Sequence, residues 1–264
     1  MIIECAKIPS FSSYEDRIHP FIEEIAGKVE NAKLIKVPDK NIIIQVPGKR
    51  NVRPVALTAH LDKIDHFGTS IQPLLPIKRH PTHLEGQLDD SVGLGICLSL
   101  MLQSMENDFP PLDIFFSEME EDFGLGAKKI ANYVTQELPL PSLIITIDTT
   151  PSFGENEGIA LYCNHWELNY LTPSRKLISK TAYLQNYFLK IHPELKVENA
   201  MNDYVRYGKF FNENRTIPIP SLAIEPAIHP IHQIGENVFI SDIEKVVTIL
   251  KSFLTTFKPD LMWE

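Results

Sequence analysis

The chain has 264 residues, 44% hydrophobic and 22% charged, enough apolar material for a sizeable core, which excludes a disordered or low-complexity polypeptide. Its 25 lysines and arginines against 34 aspartates and glutamates leave a net charge of -9, which argues against nucleic acid or an anionic membrane surface as partner. Cys5, Cys97 and Cys163 are too few and too dispersed for a disulfide framework or a thiolate-ligated zinc site.

The opening residues carry neither the basic head nor the apolar run of a signal peptide, and no later stretch has the length of a membrane span, so the expectation is a soluble cytoplasmic protein. Ser12 or Ser13 is placed to cap a first helix, in which Ile18, Phe21, Ile22 and Ile25 recur at helical spacing. Strands are predicted over 41–46, 55–59, 113–116, 143–147, 159–163 and 219–224, with helices over 92–105, 125–136 and 176–190. A last helix begins with Ser241 and Glu244 as a capping box and carries a stripe of Ile243, Val246, Val247, Leu250, Phe253 and Leu254. This alternation predicts an α/β class: three layers, with a mostly parallel central sheet and helices on both faces. No repeat or linker divides the chain, which reads as a single domain over 1–264.

Chemistry-bearing residues gather at the ends of the predicted strands. VALTAHLD, residues 55–62, delivers His60 and Asp62 to the carboxyl end of its strand, the edge where open α/β sheets bind ligands. Residues two apart on an extended chain point the same way, so Asp62 can accept from the ring nitrogen of His60 that a metal leaves free. LEGQLDDSVGLG, residues 84–95, sets Asp89 and Asp90 before a helix; Asp90 suits the N-cap, which leaves Asp89 to point elsewhere. LDIFFSEMEEDFGLGA, residues 112–127, ends a strand with Glu118, Glu120, Glu121 and Asp122, more acids than a helix first turn explains. LIITID ends in Asp148, and His229 and His232 follow the strand over 219–224.

Any one of these has an ordinary reading as a cap or an exposed loop residue. Together they place His, Asp, Glu, Asp and His at five successive strand ends, an oxygen and imidazole set suited to zinc, cobalt or manganese. If Asp89 bridges two ions, His60 and Asp148 complete one and Glu121 and His232 the other. The two ions then carry about +4 and the three carboxylates about -3, which favours a shared hydroxide.

These motifs resemble the co-catalytic zinc exopeptidase superfamily of aminopeptidases, carboxypeptidases and aminoacylases. IPSFSSYEDRIHPFI is similar to its opening helix and NIIIQVPGK to its second strand phrase. AHLD matches His-x-Asp, LDDSVG matches the motif of the bridging aspartate, and EEDFGLGA matches the glutamate pair with its glycines, although Gly124 stands one position late. The resemblance implies His60, Asp89, Glu121, Asp148 and His232 as ligands of two divalent metals, zinc first. It implies Glu120 as general base and Asp62 as the partner that orients His60. His232 is preferred to His229 because Glu236 follows it by four residues. Only 28 residues separate His60 from Asp89 and 83 separate Asp148 from His232, so the chain resembles a compact form with neither an inserted dimerisation domain nor a lid. The implied activity is hydrolysis of a peptide at its end, by an aminopeptidase. A deacylase, dipeptidase or carboxypeptidase acting on peptide or N-acyl amino acid is the alternative, and a binding module that keeps the fold is another. Segments 66–83 and 171–215 are expected to wall the pocket, and His66, His80 and His83 are read as loop residues rather than as a third metal site.

Overall fold

Four segments, VALTAH, LDIFFS, LIITI and SLAIEP, are buried along their whole length, as strands are when helices cover both faces of the sheet. The computed structural model describes residues 1–68, 75–153, 157–213 and 217–258. Its strands are β1 (Lys33–Lys36), β2 (Ile42–Val46), β3 (Val55–His60), β4 (Lys78–Arg79), β5 (His83–Glu85), β6 (Leu112–Ser117), β7 (Leu143–Ile147), β8 (Ile159–Tyr162), β9 (Lys196–Glu198), β10 (Ser221–Pro226) and β11 (Asn237–Phe239). Its helices are α1 (Ile2–Ala6), α2 (His19–Ala26), α3 (Ser91–Gln103), α4 (Leu125–Glu137), α5 (Trp166–Asn169), α6 (Arg175–Ile191), α7 (Asp203–Phe210) and α8 (Ile240–Thr256).

Eight strands form one sheet in the order β1-β2-β6-β3-β7-β10-β8-β9, and β11-β5-β4 form a small second sheet. The central block β6-β3-β7-β10 is parallel, so its carboxyl ends share one edge. Strands β2 and β8 run antiparallel against its two sides. One face is covered by α1, α2, α3, α6 and α8, which share a core with residues such as Leu57, Ile114 and Ile145. Residues of α4 and α7 cover the other face, around Ala56, Phe115 and Ile144. Neighbouring residues of one strand thus enter opposite cores, as the period-two geometry requires.

Helix α3 is buried over most of its length, and its apolar residues go all round, the pattern of a helix enclosed by protein. Gly93 lets its first turn lie against β7: a Cβ there would stand 2.2 Å from the Ile147 carbonyl oxygen.

Two predicted caps do not form. Helix α8 starts at Ile240 behind Phe239, one residue before Ser241, and has no side-chain cap; Asp242 in its first turn instead accepts the Gly158 backbone N–H at 2.7 Å. The helix predicted to be the first follows α1 and begins as a 3-10 turn, Glu15–Ile18, that runs into α2. Ser13 stands in the left-handed region at φ 72, and Ser12 spends its hydroxyl on Asp62, so neither serine is free to cap. The predicted strand over 219–224 is displaced two residues along, to β10. Among the described residues no helix is long and apolar enough to cross a membrane.

Candidate metal and catalytic site

His60 is the last residue of β3, Asp148 follows β7, and Glu120 and Glu121 lie in the turn between β6 and α4. Because these strands are parallel neighbours, residues far apart in sequence arrive at one edge. Asp90 caps α3 by accepting the Gly93 N–H at 2.7 Å, and its other oxygen accepts the His60 N–H at 3.3 Å. The cap therefore holds the start of α3 against the end of β3 and leaves Asp89 facing the site.

Asp89 presents its two oxygens to different imidazoles. Oδ1 is 3.2 Å from His60 Nε2 and Oδ2 is 3.2 Å from His232 Nε2. Asp148 Oδ1 lies 3.6 Å from His60 Nε2, and Glu121 Oε1 lies 3.2 Å from His232 Nε2. Two donor groups result, His60 with Asp89 and Asp148, and Asp89 with Glu121 and His232, each with donor atoms within 4.8 Å of one another. All five residues expected as ligands are brought together.

The charges of this cluster suit cations. Burial opposes a charge on His60, yet Asp148, Asp62 and Asp89 lift its pKa well above the ordinary imidazole value. Contacts with Asp89 and Glu121 carry His232 up to about 10. Burial, followed by the neighbouring Asp89, raises both Glu121 and Asp148. More carboxylates than imidazoles are confined in a low-dielectric cleft, and divalent cations would relieve both the repulsion and the desolvation. The donor set, oxygens and imidazoles without sulfur, fits zinc and equally cobalt or manganese.

Asp62 is fully buried behind this cluster. Its Oδ1 lies 3.3 Å from His60 Nδ1 and accepts the Glu120 N–H at 3.0 Å; its Oδ2 accepts the Glu121 N–H at 3.2 Å and the Ser12 hydroxyl at 2.8 Å. Burial works to raise its carboxyl, but His60 and Ser12 hold it below its ordinary value. Glu236 holds the main chain of the other histidine, accepting the backbone N–H of His232 at 2.9 Å and that of Leu88 at 3.0 Å. It joins the loop of His232 to the segment that leads into Asp89. His229 is exposed and belongs to neither donor group.

The glutamate turn explains the late glycine. Phe123 and Gly124 both take positive φ, 83 and 60, and Gly124 caps α4 in the left-handed conformation. Glu118, by contrast, is structural: it accepts from Lys40 N, Asn41 Nδ2 and Lys129 Nζ. Asp122 is exposed.

A pocket of about 310 Å³ opens over the two donor groups and includes Glu120 in its lining. Burial, with Asp203, Asp148 and Glu121 adding to it against His60, raises Glu120 well above the carboxylate range. Of the expected walls, segment 171–215 contributes Ala200, Met201, Asn202 and Arg206, whereas no described residue of 66–83 lines the pocket and 69–74 lie outside the described residues. The sequence reading missed Glu225, at the end of β10, which the strand-end rule would have found; it accepts from Asn202 Nδ2. It also missed Asp203 and Arg206, which sit on a short helix that no motif marks. His80, His83 and Glu85 form a further group with donors within 4.8 Å, in which His80 Nε2 is 3.1 Å from Glu85 and the two imidazoles stack at 4.3 Å. Lys78 takes the other Glu85 oxygen at 2.6 Å, so these contacts form a cross-strand network.

A parallel sheet with paired imidazole and carboxylate groups at its carboxyl edge defines an α/β protein with a candidate two-metal centre. The aminopeptidase APDkam598 of the archaeon Desulfurococcus kamchatkensis has the same fold, with a TM-score of 0.73 at 14% identity over 99% of this chain and 96% of that one. TET1 peptidase of Pyrococcus horikoshii superposes with a TM-score of 0.69 at 16% identity over 97% and 100%. A tripeptidase of Staphylococcus aureus gives 0.67 at 12% identity over 96% of each. No curated protein sequence matches the chain. The model of peptidase family M28 matches residues 41–249, and the chain belongs to that family.

Proposed function

We propose that the chain is an aminopeptidase in which residues 1–264 act as one catalytic domain and two divalent cations, zinc first, are held by His60, Asp89, Glu121, Asp148 and His232. The observation that carries this reading is the division of Asp89, one oxygen toward His60 and the other toward His232. A carboxylate so divided is suited to bridging two ions. Such cations supply polarisation of a carbonyl oxygen and acidify a water.

The protein's own groups then do the rest. Glu120, in the pocket lining beside both donor groups, takes a proton from the attacking water and returns it to the departing amine. Asp62 fixes the ring of His60 so that Nε2 faces Asp89 and Asp148, and it holds the Glu120 backbone at the same time. The lining around the centre leaves about 310 Å³, room for a short stretch of peptide.

Metal analysis of protein purified without chelator, combined with a panel of aminoacyl anilides, dipeptides and N-acyl amino acids, tests the reading. Two metals per chain and release of an N-terminal residue are expected. Cleavage confined to N-acyl amino acids would assign a deacylase, and metal-loaded protein inactive on the whole panel would leave a binding module.

A further inference from the structure

The pocket over the donor groups is lined by five carboxylates, Asp89, Glu120, Glu121, Asp148 and Glu225, and among the described residues by one permanently charged cation, Arg206. Arg206 lies on α7 and packs over the turn that follows the glutamate pair. A Cβ built on Gly124 would stand 3.0 Å from Arg206 Nε and 3.4 Å from Cγ, so the bare backbone of Gly124 makes the room in which this side chain lies. Four of the five carboxylates have other partners: Asp89, Asp148 and Glu121 face the imidazoles, and Glu225 accepts from Asn202. Among the described residues the Arg206 guanidinium has no ion pair or hydrogen bond.

An arginine brought to a pocket wall without a partner offers a planar fork of donors, the geometry that carboxylates accept in pairs. The pocket volume of about 310 Å³ stands at the small end of the ~300–1,000 Å³ range of small-molecule sites, so the ligand it encloses is short. We propose that Arg206 anchors a carboxylate of the substrate, which makes short peptides bearing that group the preferred substrates. This rests on the peptidase reading and names its substrate class. The carboxylate has two sources, the free C-terminus of a di- or tripeptide and the side chain of an aspartate or glutamate next to the scissile bond. The neighbouring apolar lining of Phe123, Met201 and Ile231 offers room for side chains of either kind of peptide.

The test compares kcat/KM of metal-loaded wild type, Arg206→Ala and Arg206→Lys on two pairs, Leu-Gly-Gly against its C-terminal amide, and Leu-Glu-amide against Leu-Gln-amide. Wild type is expected to favour the carboxylate member of one pair by about 10- to 100-fold, the range of a charge-assisted hydrogen bond. The first pair marks the terminal carboxylate as source and the second the acidic side chain. In Arg206→Ala that ratio should fall close to one, with the loss in KM, and Arg206→Lys should restore part of it. Metal content of each variant is measured on the same samples, which separates loss of the anchor from loss of the centre. A wild type indifferent to both pairs, or an Arg206→Ala protein with its preference intact, overturns the proposal. If wild type cleaves none of the four peptides the peptidase reading fails, and calorimetric titration with the same peptides still decides the anchor: a carboxylate preference lost in Arg206→Ala upholds it, and no preference rejects it.

Discussion

Asp62 Oδ1 accepts the backbone N–H of Glu120 at 3.0 Å while lying 3.3 Å from Nδ1 of His60. One buried oxygen therefore sets both the ring of a metal-ligand candidate and the main chain of the candidate base. Asp62→Ala should lower metal affinity by about 10- to 100-fold, the usual effect of removing the group behind a ligating histidine. Chelator competition reads the affinity. Ser12→Ala, which removes one contact to the other oxygen, should have a smaller effect in the same direction.

Adjacent glutamates with different work should fail differently. Glu120→Gln keeps the size and the backbone contact to Asp62 but cannot take a proton, so metal content should survive while kcat falls at least about 10²-fold. Glu121→Gln removes charge from the donor group of Asp89 and His232, and should lose metal together with activity. Elemental analysis beside turnover on the same samples distinguishes the two, and the opposite pattern would exchange the roles.

His232 and His229 lie three residues apart, but only His232 reaches Asp89 and Glu121. His232→Ala should reduce bound metal from two ions toward one. His229→Ala should leave both, since the exposed ring belongs to neither donor group. Equal losses in the two variants would remove His232 from its assigned place.

Gly126 has no room for a side chain. A Cβ there would meet the Glu118 carbonyl oxygen at 2.4 Å, the Glu118 nitrogen at 2.5 Å and Asn41 Oδ1 at 2.6 Å, where α4 turns back on the end of β6. Gly126→Ala should cost about 1–3 kcal/mol, the range of overpacking. It should also weaken metal binding, because the displaced backbone carries the glutamate pair. Thermal denaturation and metal analysis measure the two effects.

Asp113 lies at the other end of β6, away from the site, with Oδ2 buried and no hydrogen-bond partner among the described residues and Gln45 Nε2 at 3.4 Å from Oδ1. Burial pushes its carboxyl up to about 7. In the unfolded chain the group loses its proton near pH 4, so between about pH 4 and 7 the folded state holds more protons and stability falls as pH rises. Above pH 7 the cost is constant. Asp113→Asn should therefore stabilise the protein by about 1–4 kcal/mol at pH 8 and by little near pH 4. Denaturant unfolding at pH 5 and pH 8, with metal supplied, checks the sign; a gain larger at pH 5 would contradict it.

Much of the fold can be read locally. Strands β3, β6 and β7 and helices α3, α4 and α6 fall within two residues of where their apolar runs and periods put them. The segments missed were short or exposed: β1, β4, β5, β9, β11, α1, α5 and α7 carry too few apolar residues in period to register as elements. The two caps failed for a different reason. A serine before a helix is a local signal, and both were overruled, Ser12 by a contact with Asp62 50 residues away and Ser241 by a helix start set at Phe239.

From the sequence alone came the α/β class, the carboxyl edge as the place of chemistry, and the residue types His60, Asp89, Glu120, Glu121, Asp148 and His232, since strand ends and motif intervals are properties of a chain read in order. Only the tertiary structure decided that Asp89 divides its oxygens between His60 and His232, the latter 143 residues away, that Glu236 ties His232 to Leu88, and that Arg206 shares the pocket. Those relations depend on the parallel order β6-β3-β7-β10 and on α7 lying across it. Periodicity records which face of an element is apolar, but which faces meet is settled by long-range packing.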